Sequence, residues 1–259
     1  MNNVNKTLYI PLYGKNLVSQ QGILLQDPDA ERIWAAEGFP LKGKAKSRWL
    51  AYYMSMRARV FDEWTAQQLQ AHPDAAVLHL GCGLDSRCNR VPQVAHAWFD
   101  MDFPQVIAQR RLHFREEGRY QMIGANLREE GALDPVPKGG HGIVVMEGIS
   151  MYLSPQELRS LLQRLNAHFD SLSLLMDCYT ELAAKASRYK NPINDVGVFQ
   201  VWGLANPEGL GLTFLREHTM TPDSLILRLP KKDQRIFRKV FAGAFARKLY
   251  RMYEYKEQA

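Results

Sequence analysis

Apolar and polar positions along this chain follow two different periods. Between Ser47 and Ala71, Leu50, Tyr53, Met54, Arg57, Val60, Phe61, Trp64 and Leu69 recur at spacings of three and four. That spacing predicts one long helix with a buried face. Five shorter apolar runs lack it and read as buried strands: Val77–Leu80, Ala95–Asp100, Tyr120–Gly124, Ile143–Met146 and Ser171–Cys178. Helical stretches fall between them: a short one around Arg87–Arg90, one from Pro104 to Gly118, and one through Leu158, Leu161, Leu162 and Leu165. The last is announced by Ser154-Pro155-Gln156-Glu157, a capping box with proline at the first helical position. Strand and helix alternate five times, which predicts a parallel sheet covered on both faces.

The two ends carry weaker patterns. Residues 7–14 are apolar but broken by Pro11, and suit a packed arm. Lys15 to Gly38 reads as helical, with Asp27-Pro28-Asp29 marking a break and a new start. Lys42-Gly43-Lys44 reads as a loop. Asn191 to Leu212 is rich in Gly, Pro and Asn and includes Phe199 and Trp202, which fits a lid over a substrate or a plain connection. Lys231–Arg251 is predicted helical, and Leu249–Lys256 adds a final strand. The expected organisation is a single domain over 1–259: an N-terminal helical cap (1–73), a core (74–180), and a lid or substrate segment with the end of the sheet (181–259).

Composition narrows the class. The chain has 259 residues, 46% hydrophobic and 23% charged, which is ordinary for a globular protein with a sizeable core. No apolar run approaches the ~20 residues that span a bilayer, and Met1–Lys6 lacks the pattern of a secretory signal. Cys82, Cys88 and Cys178 form no CxxC pair. No membrane, disulfide framework or zinc site is expected, and a cytoplasmic location fits. None of the seven histidines clusters with acidic residues at ligand spacing, so no metal is expected. The net charge of +6 is uneven: from Arg228 onward there are ten Lys/Arg against Asp233, Glu254 and Glu257. Such a stretch is a solvated helix face, or it draws nucleic acid or an acidic protein.

The candidate chemistry sits at the strand ends. Val77-Leu-His-Leu-Gly-Cys-Gly83 is a strand turning tightly into a helix, with Gly81 and Gly83 letting a ligand approach bare backbone. Asp100 and Asp102, Asn126 and Glu147 close the next strands. Asp102 follows Gly81 by 21 residues, the spacing of an acidic residue that holds ribose hydroxyls; Asp100 is the other candidate. A nicotinamide or flavin dinucleotide loop wants a third glycine where Ser86 stands, and Asp85 would repel its diphosphate. S-adenosylmethionine has no phosphate and carries a sulfonium and an ammonium, which nearby carboxylates favour. His79, inside an apolar strand, reads as a satisfied core histidine.

These residues resemble the leucine carboxyl methyltransferase family, within the class I S-adenosylmethionine-dependent methyltransferases and close to their tetracenomycin-type carboxyl O-methyltransferase branch. The resemblance is carried, in order, by Met56–Asp62, Leu80–Arg87, Trp98–Pro104, Asn126-Leu127-Arg128 and Met146–Leu153. It implies a Rossmann-like α/β fold with a mostly parallel seven-stranded sheet, helices on both faces, an N-terminal helical segment and a lid-like insertion. It also implies that Gly81 and Gly83 line the methionine part of the cofactor and that Arg57 pairs with its carboxylate. Asp102 would hold the ribose, Asn126 and Leu127 flank the adenine, and Glu147 lies near the ammonium. Lys15 matches a basic position of the family's N-terminal segment. Asn126 and Asp100 depart from a family aspartate and glutamate.

The expected reaction is methyl transfer to a carboxylate of a polyketide-like small molecule, by direct displacement and without a named catalytic residue. Tyr53, Tyr152, Phe199 and Trp202 are substrate-contact candidates, with Trp34 and Phe39 as further aromatic residues outside the sheet motifs. A protein C-terminal carboxylate or a tRNA base is an alternative acceptor. A NAD-dependent oxidoreductase or a non-catalytic cofactor-binding protein is the alternative of another class.

Overall fold

The computed structural model describes residues 5–91, 96–190 and 200–258. A 3-10 turn, Asn5–Leu8, leads into α1 (Tyr9–Gln20), α2 (Pro28–Glu37) and α3 (Arg48–Ala71). The core then runs β1 (Ala76–Leu80), α4 (Arg87–Arg90), β2 (Ala97–Asp102), α5 (Pro104–Arg110), β3 (Tyr120–Gly124), β4 (His141–Met146), α6 (Pro155–His168) and β5 (Ser171–Thr180). The last part adds α7 (Glu181–Lys190), β6 (Gly203–Leu204), β7 (Thr213–His218), α8 (Asp223–Ile226), α9 (Lys231–Val240), α10 (Ala244–Arg247) and β8 (Tyr250–Lys256).

The sheet has the order β3-β2-β1-β4-β5-β8-β7, with the two-residue β6 pairing the end of β5. β1 to β5 are parallel, and β8 enters antiparallel between β5 and β7. The path therefore has the expected seven strands, and β6 is an eighth. Alternation along β1 divides the core into two layers. Val77 packs toward Met56, Phe61 and Trp64 of α3, while Leu78 and Leu80 pack with Leu161, Leu162 and Leu165 of α6. Helices thus cover both faces, as the alternating pattern predicts. The sheet order reverses between β1 and β4, so their carboxyl ends face a crevice. No helix among the described residues is long and apolar enough to cross a membrane.

Several boundaries differ from the sequence reading. The apolar stretch around Pro11 is a helix, because Pro11 falls in the first turn of α1, where N–H groups have no intrahelical acceptor. Lys42–Lys44 enters a 3-10 turn, Gly43–Lys46. α5 stops at Arg110 rather than Gly118, since the apolar spacing lapses after Phe114. Lys231–Arg251 is two helices and the first turns of a strand, not one helix. β7 carries no apolar alternation. Arg216 and His218 instead bond Glu254 of β8 at 2.5 and 2.7 Å, and Glu217 bonds Arg251 at 2.6 Å.

The capping signals hold. Asp27 accepts from Ala30 N at 2.9 Å ahead of Pro28, Gly38 ends α2 in the left-handed region, and the Ser154/Glu157 capping box is complete.

Candidate functional site

A cavity of about 1150 Å³ opens outside the carboxyl ends of β1, β2 and β4. Ligand pockets commonly span roughly 300–1,000 Å³, so this one has room for two ligands side by side. Its floor is the turn after β1. Gly81 and Gly83 both have left-handed backbone, with φ of 68° and 52°. The sequence reading leaves the space beside them for a ligand, but the protein fills it. A Cβ on Gly81 would meet Ile149 Cγ2 at 1.9 Å, and one on Gly83 would meet Leu8 at 3.3 Å. Both glycines still line the cavity. The turn is braced from below by Arg110, which donates to Gly83 O at 3.1 Å.

The two aspartates of β2 separate cleanly. Asp100 is fully buried and bound to Arg110, to Tyr120 Oη at 2.7 Å and to Trp98 Nε1 at 2.9 Å. Asp102 lines the cavity, and its carboxylate accepts from Gly83 N at 2.9 Å and Phe103 N at 2.7 Å. Burial raises Asp102 to about 6, against those two hydrogen bonds. His79 is buried, and burial together with Arg87 lowers its pKa. Arg87 Nη1 lies 3.0 Å from His79 Nε2, so that nitrogen accepts and Nδ1 carries the proton, facing Asp100 at 3.4 Å.

Behind the cavity wall runs a chain of buried ion pairs. Lys15 Nζ meets Asp85 at 2.5 Å, and Arg90 joins Asp85 and Asp27 at 2.7 Å and Asp62 at 2.8 Å. Arg87 bonds Asp62 at 2.8 Å and also Glu147. Arg57 closes the chain on Glu147 at 2.9 Å and Asp177 at 2.7 Å. Asp177 also accepts from Gly148 N at 2.7 Å and Tyr250 Oη at 2.6 Å. The five carboxylates, fully ionised, exceed the four cations by one, so the network carries one negative charge. Burial opposes the charge on Glu147, but Arg57 and Arg87 prevail and hold it low. At Asp177 burial prevails and raises the carboxyl.

This network revises the reading of Asp85. Asp85 does not present a free charge to a ligand, because Lys15 and Arg90 hold it well below the usual carboxylate range despite its burial. Asp62, farther along α3 than Arg57, binds Arg87 and Arg90. Arg57 lines the cavity with four of its five N–H donors engaged by Glu147, Asp177 and Tyr250. Lys15 also lines it.

The rest of the cavity has a polar and an apolar end. Asn126, Leu127 and Arg128 lie beyond Asp102; Asn126 Oδ1 accepts from Arg128 N at 3.2 Å, and its Nδ2 donates to Glu129 at 3.2 Å. Glu157 lines the same end, bound by Arg128 at 2.8 Å. The other end is lined by Tyr53, Met54, Tyr152, Tyr179, Trp202 and Tyr250. Tyr250 stacks on Tyr53 at 6.3 Å and meets Tyr179 edge-on at 5.0 Å. Burial raises the phenols of Tyr53, Tyr152 and Tyr250.

Trp34 and Phe39 do not reach the cavity; they pack on Tyr13 and Tyr9, at 5.2 and 4.0 Å, within the N-terminal helices. Phe199 lies outside the described residues. Asp177, Tyr179, Tyr250 and Ile149 were not singled out as site residues by the sequence. The acidic end of β5 was the one available signal for Asp177; the other three become neighbours only through packing.

The family model for leucine carboxyl methyltransferase matches residues 5–166. The chain is 32% identical over 228 residues to the tetracenomycin polyketide synthesis O-methyltransferase TcmP of Streptomyces glaucescens, covering 85% of this chain and 84% of that protein. It is 27% identical over 182 residues to the S-adenosyl-L-methionine-dependent methyltransferase dpfgK of Gibberella zeae, covering 64% and 61%. Among solved structures, a candidate methyltransferase of Thermobifida fusca YX superposes with a TM-score of 0.58 at 12% identity, over 96% of this chain and 94% of that one. That likeness concerns the fold.

Proposed function

Because the chain belongs to the leucine carboxyl methyltransferase family and is an S-adenosylmethionine-dependent methyltransferase, we propose that it methylates a carboxylate oxygen of an aromatic, polyketide-like small molecule. The residues present fit the cofactor. A network holding one excess negative charge complements a ligand whose sulfonium and ammonium outnumber its single carboxylate. Asp102 would hold the ribose hydroxyls, Asn126 and Leu127 would flank the adenine, and the Gly81–Gly83 turn would face the methionine. Glu147 would sit near the ammonium. Arg57 has one N–H left and Lys15 has two, so both would serve the cofactor carboxylate.

One observation carries the choice of acceptor. Among the described residues lining the cavity, every carboxylate and imidazole already has partners: Asp85 with Lys15 and Arg90, Glu147 with Arg57 and Arg87, Glu157 with Arg128, His79 with Arg87. Asp102 accepts two backbone N–H bonds. Apart from Asp102, which the cofactor ribose would occupy, none of these groups is left to take a proton from the acceptor, so an acceptor that arrives ionised suits the site, as a carboxylate does near neutral pH. When bound, the cofactor supplies an electrophilic methyl: an O–C bond forms as the S–C bond breaks, sulfur keeps the electron pair, and no proton moves.

The protein's share is alignment. Tyr53, whose Oη has a weak thioether acceptor, Met220 Sδ at 3.8 Å, would donate to the acceptor carboxylate. Tyr152 and Trp202 would hold its apolar body. Orientation of this kind can supply about 7–11 kcal/mol of barrier lowering. The test is incubation of the protein with S-adenosylmethionine and a panel of aromatic carboxylic acids, phenols and amines, read by mass spectrometry. Methyl esters from the acids are expected. Methylation confined to phenols or amines sinks the proposal.

A further inference from the structure

Cations crowd one side of the cavity mouth. Lys44, Val240, Phe241, Ala246 and Leu249 line that side, and Lys46, Lys239 and Lys248 stand exposed next to them in the chain, while Arg247 pairs with Glu217 at 3.8 Å. α9 alone carries five Lys/Arg. Between residues 224 and 248 the sole acidic residue is Asp233, which is buried and bound to Arg48 and Tyr52, both at 3.2 Å. That contact, with the stacking of Trp49 on Phe241 at 5.6 Å, sets the Lys-rich 3-10 turn before α3 beside the end of α9. The opposite wall is balanced, with Arg128 against Glu157 at 2.8 Å. The mouth is therefore positive on one side only, and that side borders the tyrosine-lined half of the cavity.

A one-signed rim around an apolar cleft focuses its field into the opening and can raise association rates by about 10–10³-fold. We propose that this rim captures the acceptor by its negative charge and favours acceptors carrying two or more anionic groups over those carrying one. The inference rests on the methyl-transfer reading above. It has a consequence for release as well as capture. Esterification removes one negative charge from the acceptor, so the rim attracts the product less than the substrate.

Naphthoate and naphthalene dicarboxylate are suitable probes, followed by stopped-flow tryptophan fluorescence for association and by kcat/KM for turnover. Association of the dicarboxylate should slow about tenfold from low salt to 300 mM, and that of naphthoate by less. The triple variant Lys46→Glu, Lys239→Glu, Lys248→Glu should flatten both salt profiles and remove the preference for two charges. A charge-matched control, Arg115→Glu, Arg119→Glu and Lys138→Glu, lies ahead of β3 and β4 at the amino end of the sheet and should leave both profiles as in the wild type. Association that ignores salt and acceptor charge, or that changes equally in the control, overturns the inference. If neither acid is methylated but association keeps its charge dependence, the methyl-transfer reading fails while the rim stands. If both acids are methylated without salt dependence, the reverse holds.

Discussion

Arg57 Nη1 lies 2.7 Å from Asp177 Oδ2, although 120 residues separate them in the chain. The contact joins α3 to the end of β5 through a buried charge pair, and Tyr250 Oη caps it from β8 at 2.6 Å. Removing one partner of a buried pair strands the other charge and costs about 3–5 kcal/mol. Arg57→Ala should therefore lower the urea midpoint sharply and abolish cofactor binding by calorimetry. Tyr250→Phe keeps the pair and loses only a hydroxyl, so it should cost about 1–2 kcal/mol and leave a folded protein for the binding measurement. An Arg57→Ala protein that folds and binds the cofactor with unchanged affinity removes Arg57 from the site.

Gly81→Ala meets two separate obstacles. Its φ of 68° strains any side chain, and its Cβ would overlap Ile149 Cγ2 at 1.9 Å. The substitution should destabilise the fold by about 2–4 kcal/mol, strain and overlap together. Adding Ile149→Ala should recover the steric part alone, giving a coupling of at least about 1 kcal/mol in a double-mutant cycle. Strict additivity of the two denaturation shifts would mean that Ile149 moves aside freely.

Asp102 gives the site a pH dependence. Burial raises it to about 6 from the ordinary value of 3.8, so between those values the folded protein holds a proton that the unfolded chain has lost. The contribution of Asp102 to stability is therefore present at low pH and declines as pH rises through that window. If Asp102 holds the ribose as proposed, its hydroxyls would donate to the ionised form, and cofactor affinity should weaken about tenfold from pH 7 to pH 5. Asp102→Asn should bind more weakly, with a flat profile, and be the more stable protein at neutral pH. Calorimetry in two buffers of different ionisation enthalpy should detect proton release in the wild type alone.

Tyr53→Phe removes a hydroxyl that donates to a weak acceptor, a thioether at 3.8 Å, so folding stability should stay within about 0.5 kcal/mol. A hydrogen bond to a charged acceptor is worth about 1.5–3 kcal/mol, which corresponds to a tenfold or greater rise in KM for a carboxylic acid. Unchanged KM would shift the acceptor contact to another residue of the tyrosine-lined wall.

That the strand-end candidates share one cavity was legible because the chain writes them consecutively. Each strand of the parallel core ends at the crevice, so Gly81, Asp102, Asn126 and Glu147 could be collected by reading one run after another. The ion pairs behind that wall were not legible: Asp85 looked exposed until α1 brought Lys15 to it at 2.5 Å. The tyrosine-lined end of the cavity is assembled from α3, the end of β5 and β8. Tyr250 reaches Asp177 through the antiparallel register that pairs it with Tyr179, and no local pattern records that pairing. β7 escaped for a related reason, since charge pairs with β8 replace the apolar alternation that marks a strand.

The odd charge of the buried network has a consequence beyond the reaction. Without its ligand the network, although each carboxylate has a cationic partner, holds one net negative charge in a poorly polarisable interior, which a bound cation would neutralise. The cofactor then acts as part of the fold, stabilising it by about 2.7 kcal/mol at a hundred times its dissociation constant. Supply of the methyl donor would set how much of this protein survives proteolysis, as well as how fast it turns over. Abundance and activity would fall together when the donor is scarce.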